Sequence, residues 1–264
     1  MQKTVLITGG TSGIGLELAK LFAADGYHLV LVARHEQGLT EAHNLLSKEF
    51  DVKVTTIAKD LFNAESGHEL YEEITKKGIQ VDVLVNDAGQ GVYGLFVESE
   101  LQRQLDIIQL NISSLVTLTH YWLKGMVQRR QGKILNLSSI AGKIPGPWQA
   151  VYHGTKAFVQ SFTEAIRSEV KDYGVTVTAL LPGVTDTDFF NKADMNASKQ
   201  VQDKDAMADP AQVAKDGYQA MMEGKDMVIS GFKNKVQVAM NALTSDEKAA
   251  DRMGEMQEPK ESEH

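Results

Sequence analysis

Val5-Leu6-Ile7-Thr8-Gly9-Gly10-Thr11-Ser12-Gly13-Ile14-Gly15 opens the chain's first structural unit. Three apolar residues read as a strand, a glycine-rich turn follows, and Ile14 begins an amphipathic helical stretch. Glycine lets a chain turn tightly and lets its backbone approach a phosphate closely. The N–H groups at the start of the following helix, with the helix dipole behind them, can then hold phosphate charge. Gly9, Gly13 and Gly15 give the spacing G-x-x-x-G-x-G. A P-loop needs G-x-x-x-x-G-K, so nucleoside triphosphate hydrolysis is not expected. A glycine-rich turn that binds nothing is the plainer alternative. The position at the first β–α junction favours a dinucleotide cradle made by Gly9, Thr11, Ser12, Gly13, Ile14 and Gly15.

Downstream, short apolar runs alternate with longer amphipathic ones, the pattern of repeated βαβ units. Val5–Ile7, Leu29–Val32, Val54–Ile57, Val83–Val85, Ile134–Leu137 and Val175–Leu181 read as strands, with Val228-Ile229 as a weaker seventh. Most lack polar alternation, as parallel strands covered on both faces should. Helical stretches fall near residues 14–25, 36–49, 64–77, 99–130, 150–173 and 210–223, the fourth either two helices or one bent near Asn111. The expected fold is α/β, a Rossmann-type doubly wound, mostly parallel seven-stranded sheet with helices on both faces. One domain spans residues 1–244. Residues 188–209 are polar and aperiodic after a strand end, which reads as a substrate loop or as a disordered loop. Residues 245–264 are charged and poor in apolar residues, and read as a disordered acidic tail.

Composition narrows the function. The 264 residues carry a formal net charge of −8 with a pI of about 5.4, unlike the basic face of a nucleic-acid binder. There is no cysteine, which excludes disulfides, thiolate nucleophiles and Cys-ligated metals. The seven histidines are scattered without ligand spacing, so no metal site is expected. No apolar run reaches the ~18 residues of a membrane helix. Strand sequence starts almost at Met1, leaving no room for a signal peptide, so a cytoplasmic protein is expected.

Two further signals carry chemistry. Tyr152 and Lys156 lie four apart in Tyr152-His153-Gly154-Thr155-Lys156, with Ser139 thirteen residues upstream of Tyr152. Residues i and i+4 share a helix face, so the Lys156 ammonium can lie near the Tyr152 phenol and favour phenolate. Lowering a tyrosine from about 10 to about 7 needs roughly 4 kcal/mol at ~1.36 kcal/mol per unit, which is expected from the lysine together with an oriented cofactor. An exposed helical pair is the ordinary reading of Y-x-x-x-K alone. The second signal follows strand two, where a carboxylate normally accepts from the ribose 2′-OH of NAD. Here the residues are Val32-Ala33-Arg34-His35. A guanidinium suits the 2′-phosphate, so Arg34 argues for NADP(H) over NAD(H), against a merely solvated arginine. Asp60, after strand three, is placed to accept from the adenine amino group, with Leu61 beside it.

With Thr8–Gly15, Asn86-Asp87-Ala88-Gly89, Asn111, Ser139, Tyr152, Lys156 and Pro182-Gly183 in this order, the chain resembles the short-chain dehydrogenase/reductase family over residues 3–230, in its shorter single-domain branch. The resemblance implies that Tyr152 is the catalytic acid/base, Ser139 orients the substrate oxygen, and Lys156 binds the nicotinamide ribose. It further implies that Asn111 supports a proton relay through water. By the same resemblance Asn86, Ala88 and Gly89 line the cofactor, and Pro182, Gly183, Val184 and Thr187 meet its nicotinamide end. One departure stands out: the family usually has Asn-Asn-Ala-Gly where this chain has Asp87. The acid keeps size and an acceptor, loses the amide donor and adds charge.

The expected activity is NADPH-dependent reduction of a carbonyl to an alcohol by hydride transfer, with Tyr152 as general acid. An oxidative alcohol or sugar dehydrogenase and a non-catalytic dinucleotide sensor are the alternatives. Relatives assemble as homodimers or homotetramers through the two long helices, where Leu115, Val116, Leu118, Tyr121, Trp122 and Leu123 offer apolar surface or ordinary core. The pocket is expected from residues 91–96, 140–150 and 188–209. Trp148, Phe189, Phe190 and Met195 there suggest an apolar small-molecule substrate.

Overall fold

The computed structural model describes residues 2–195, 198–199 and 207–259. Seven strands form one all-parallel sheet in the order β3-β2-β1-β4-β5-β6-β7. They are β1 (Thr4–Thr8), β2 (His28–Ala33), β3 (Val54–Ala58), β4 (Val83–Asn86), β5 (Gly132–Leu137), β6 (Val175–Leu181) and β7 (Met227–Ile229). The fold expected from the alternating runs is the fold found, weak seventh strand included.

Alternation across the sheet explains the unbroken apolar strands. Val5 and Ile7 point into a core completed by Leu18 and Phe22 of α1 (Gly13–Ala24), Leu46 of α2 (Glu36–Glu49) and Met221 of α8 (Pro210–Met222). Leu6 between them points to the opposite core. That core holds Leu70 of α3 (Ser66–Lys76), Trp122 of α5 (Ser114–Arg129) and Ile166 of α6 (Ala150–Val170). Each strand residue therefore meets a helix, and none needs to be polar.

The chain runs outward from β1 to β3, returns, and runs outward again from β4 to β7. Strand order thus reverses between β1 and β4, where a crevice opens at the carboxyl ends of the strands. Register brings Thr8, Asn86 and Asn136 side by side there. The Asn86 amide donates to Asn136 Oδ1 (2.8 Å) and Thr119 Oγ1 (3.1 Å), and the Asn136 amide donates to Thr163 Oγ1 (2.9 Å). Buried polar groups must find such partners, and this ladder ties β4 and β5 to α5 and α6.

The stretch from 99 to 130 is one helical run interrupted by a π-helical turn. Helix α4 (Leu101–Ile108) passes through Gln109–Ser113 into α5. Such turns insert one residue and often mark functional positions. Here the turn carries Asn111. The apolar residues of α5 are mostly core of this single chain: Leu115, Leu118 and Trp122 are buried, and Tyr121 stacks on Tyr71 at 4.7 Å.

The expected disordered tail is a correction. Residues Asp246–Gln257 form a helix, α10, after a further helix α9 (Phe232–Asn241) that the periodicity did not suggest. Ala249, Met253 and Gln257 recur every four residues on one face of α10 and are buried. That thin stripe is hidden by the charges of the other faces. Asp246 and Glu247 in its first turn suit the positive end of the helix dipole. Residues 260–264 lie outside the described residues, as do 196–197 and 200–206 of the expected substrate loop. The described part of that loop begins with the short helix α7 (Phe189–Lys192).

Candidate active site

A cleft of about 600 Å³ runs from the glycine turn across the ends of β1, β4, β5 and β6 to the C-terminal helix. The turn is shaped by its glycines. Gly9 and Gly13 have φ of +75° and +54°, a conformation that a side chain disfavours. A Cβ on Gly13 would lie 2.9 Å from Thr187 Cγ2, and one on Gly15 would lie 2.4 Å from Gly9 O. Backbone is thus bared toward the cleft, with helix α1 opening behind it. This cradle fits the pyrophosphate of a dinucleotide. Thr8 fastens the cradle to β4 by accepting from the Asp87 and Ala88 N–H groups at 3.2 and 3.1 Å.

Beyond the turn, Arg34 is exposed at the cleft edge with its guanidinium 5.3 Å from the Phe62 ring centroid. Among the described residues it makes no ion pair. Asp60 Oδ1 accepts the Phe62 N–H at 3.1 Å, and Leu61 is buried beside it. Pro182, Gly183, Val184 and Thr187 follow β6 on the opposite wall. The cleft also takes in Ala88 and Gly89, whereas Asn86 works beneath it in the polar ladder.

The chemical end of the cleft is built on β5 and α6. Ser139 follows the end of β5, and its Oγ accepts from Ala141 N (3.1 Å) and reaches Pro182 O at 3.3 Å. Its hydroxyl also meets the Tyr152 phenol. Burial pushes that phenol up to about 12, with the Ser139 hydrogen bond opposing. Lys156 is not among the groups acting on it. Its Nζ lies 5.8 Å from the Tyr152 ring centroid, donates to Leu137 O at 2.9 Å, and faces the Asp87 carboxyl. The expected lowering of this phenol, by Lys156 together with a bound cofactor, concerns the loaded site, whereas in the protein alone burial dominates. There the Lys156 ammonium donates to the Leu137 carbonyl and lies in the field of Asp87, while burial favours the protonated Tyr152 phenol.

Asn111 is buried in the π-helical turn. Its side chain accepts from Gln90 N (3.0 Å) and donates to Gln90 O (2.9 Å) and Thr155 Oγ1 (3.0 Å). It clamps the segment after β4 to α6, so that Gly89 sits against both Asn111 and Lys156.

Asp87, the departure noted in the sequence, lies at the cleft floor. Its Oδ2 would be 2.7 Å from a Cβ on Gly9 and 2.5 Å from one on Gly15. The Gly15 N–H donates to it. Desolvation pushes its carboxyl up to about 7, against the pull of Lys156 and Lys192 and the Gly15 hydrogen bond. Burial in turn brings Lys156 down to about 8 despite Asp87.

Several lining residues gave no sequence signal. His153, Met253 and Gln257 close the far end of the cleft beside Gln149, which lies in the expected stretch 140–150. Only His153, adjacent to Tyr152, could have been suspected from position. Phe189 and Phe190 line the cleft as expected, with Met195 buried behind them. Trp148 packs on Tyr93 at 5.7 Å instead of lining it. Among the described residues there is no cluster of potential metal ligands, and no helix is long and apolar enough to cross a membrane.

A family model described as short chain dehydrogenase matches residues 3–198. The chain is 34% identical over 241 residues to dehydrogenase/reductase SDR family member 7B of Danio rerio, covering 88% of this chain and 78% of the relative. It is 35% identical over 177 residues to a very-long-chain 3-oxoacyl-CoA reductase of Laccaria bicolor, covering 66% of this chain and 52% of the relative. The chain thus spans about half the length of that reductase. A short-chain dehydrogenase from Sphingobium yanoikuyae, solved in complex with NADPH, superposes with a TM-score of 0.83 at 26% identity, covering 99% of both chains.

Proposed function

The chain belongs to the short-chain dehydrogenase/reductase family, and from that premise we propose that it reduces the carbonyl of an apolar ketone or aldehyde to an alcohol with NADPH. The observation that carries this reading is the meeting of the Ser139 and Tyr152 hydroxyls at the end of a cleft whose other end is a glycine cradle. Bound NADPH supplies the hydride. The chain's own groups handle the oxygen, where negative charge grows. Donors already aimed at that position need no reorganisation when the charge develops. Ser139 Oγ and Tyr152 Oη donate to it, and Tyr152 gives up its proton as general acid. Lys156 holds the nicotinamide ribose, and Asn111 keeps Gln90 and Thr155 in register with it. The cradle holds the pyrophosphate, and Arg34 reads the 2′-phosphate.

The Arg34 guanidinium at the cleft edge suits the 2′-phosphate of NADPH, which supports reduction over oxidation. A dinucleotide sensor has no use for this pair of hydroxyls. The apolar surround of Ile144, Phe189, Phe190 and Met253 suits a hydrophobic substrate, in keeping with the name of the Laccaria bicolor relative. An assembly of two or four copies would cover Leu101 and Leu105 of α4 and Phe158 of α6, which are exposed in one chain. NADPH oxidation followed at saturating cofactor across aldehydes, quinones, ketoacyl thioesters and steroids tests the reading. Turnover of at least one apolar carbonyl, lost in Tyr152→Phe, is expected. NADPH binding without turnover of any of them would favour the sensor.

A further inference from the structure

Past Tyr152 the cleft ends against α10, and the contacts there fix one amide group unusually well. Met253 and Ala249 of α10 are buried with Ile144. The Tyr93 hydroxyl donates to the Gln257 carbonyl. Just beyond, Lys199 pairs with Glu258 at 3.2 Å and donates its N–H to the Glu258 carbonyl. The C-terminal segment is thus strapped across the cleft's far end and fastened to the substrate loop.

The side chain of Gln257 is buried, at 1% exposure, and lines the cleft. Its orientation follows from its neighbour. His153 Nδ1 lies 2.8 Å from Ile144 O, and a carbonyl only accepts, so Nδ1 carries the proton. Burial keeps the ring neutral, leaving Nε2 as a lone pair. Gln257 Nε2, 3.3 Å away, therefore donates to it, and the amide cannot be turned around without setting two acceptors against each other. Gln257 Oε1 is left buried with no hydrogen-bond partner among the described residues. Buried acceptors are almost always satisfied, and the lining of this cleft end includes the apolar Ile144, Met253 and Phe189.

We propose that Gln257 Oε1 is the acceptor for a hydroxyl or N–H that the substrate carries away from its carbonyl, making this a subsite that selects donor-bearing apolar ketones over plain ones. The proposal rests on the carbonyl-reductase reading for the class of substrate, while the subsite itself is read by binding. A site built to receive a hydrogen bond discriminates strongly against an analogue that lacks it, because its own polar group is left unpaired.

The test uses the full chain loaded with NADP⁺ and a series of straight-chain methyl ketones, each paired with its ω-hydroxy counterpart. Calorimetry should show the hydroxy ketone of best-fitting length binding about tenfold tighter than its plain partner, as one net buried hydrogen bond gives. In Gln257→Leu the ratio should fall to about one through loss of the hydroxy ligand alone, with the plain ketone's affinity and the NADPH affinity held, while the melting temperature falls by the few degrees that the unpaired His153 Nε2 costs. Should the branched side chain disturb α10, Gln257→Met is the unbranched alternative. Equal affinities at every chain length in the wild type, or a preference that survives both variants, would overturn the subsite. Turnover of the same ketones with NADPH is scored separately: discrimination in binding without turnover breaks the reductase reading and leaves the subsite standing.

Discussion

The two ends of the cleft are built on different principles. At the β1–α1 turn, recognition is a property of backbone: left-handed glycines, bared N–H groups and a helix start, all within Thr8–Gly15. At the opposite end, recognition is a property of side chains drawn from Tyr93, Ile144, His153, Met195, Met253 and Gln257, spread over most of the chain. The first end suits a ligand held by its phosphates. The second suits one held by its apolar body. Between them stand Ser139, Tyr152 and Lys156, which must serve both.

The comparison breaks at once if the middle group is misassigned. Tyr152→Phe should cut kcat by about 10²–10⁴-fold, the span of a lost general acid, while NADPH affinity by fluorescence titration stays near the wild-type value. A kcat close to wild type would remove the proton donor from the account.

A smaller effect sharpens the cofactor end. Arg34→Asp should shift the NADPH-to-NADH ratio of kcat/KM toward NADH by roughly 10–100-fold, from loss of a charge-assisted contact to the 2′-phosphate. Equal losses for both cofactors would instead mean that Arg34 only props the turn through Phe62.

How much could be read in advance follows the same division. Where few neighbouring residues fix the geometry, sequence spacing sufficed: the glycine turn, the strand ends and the Tyr152–Lys156 helix turn lie where they were expected. Where distant segments meet, it did not. The α10 helix shows only Ala249, Met253 and Gln257 as an inward stripe in a charged stretch, too thin for periodicity to reveal. The setting of Lys156 was out of reach for a related reason. The i, i+4 spacing placed Lys156 on the right face but could not show that Leu137 O accepts from its ammonium. The π-helical turn at Asn111 likewise depends on one inserted residue, visible from sequence only as a possible bend.

The smallest expected effect concerns Asp87, the acid under the cradle. Its proton is kept in the fold to about pH 7, against an ordinary value of 3.8. A group whose folded pKa is raised contributes stability that is complete below the unfolded value and is lost as pH climbs through the folded one. Wild-type stability should therefore decline between about pH 4 and pH 7 on account of Asp87. Lys156, lowered to about 8 from 10.5, acts above that window. Asp87→Asn should melt a few degrees higher than wild type at pH 7.5 (roughly 2–4 °C per kcal/mol for a chain near this size), with the gain vanishing toward pH 4. Parallel melting curves across that range would mean that Asp87 is ionised throughout as the partner of Lys156.

The most direct test of the account is a crystal structure of the full chain with NADP⁺ bound. The account predicts pyrophosphate against the Gly13–Gly15 backbone and the Tyr152 and Ser139 hydroxyls both turned toward C4 of the nicotinamide, with Lys156 on the adjoining ribose. A Tyr152 hydroxyl directed away from the ring, with Lys156 still bound to Leu137 O alone, would contradict it.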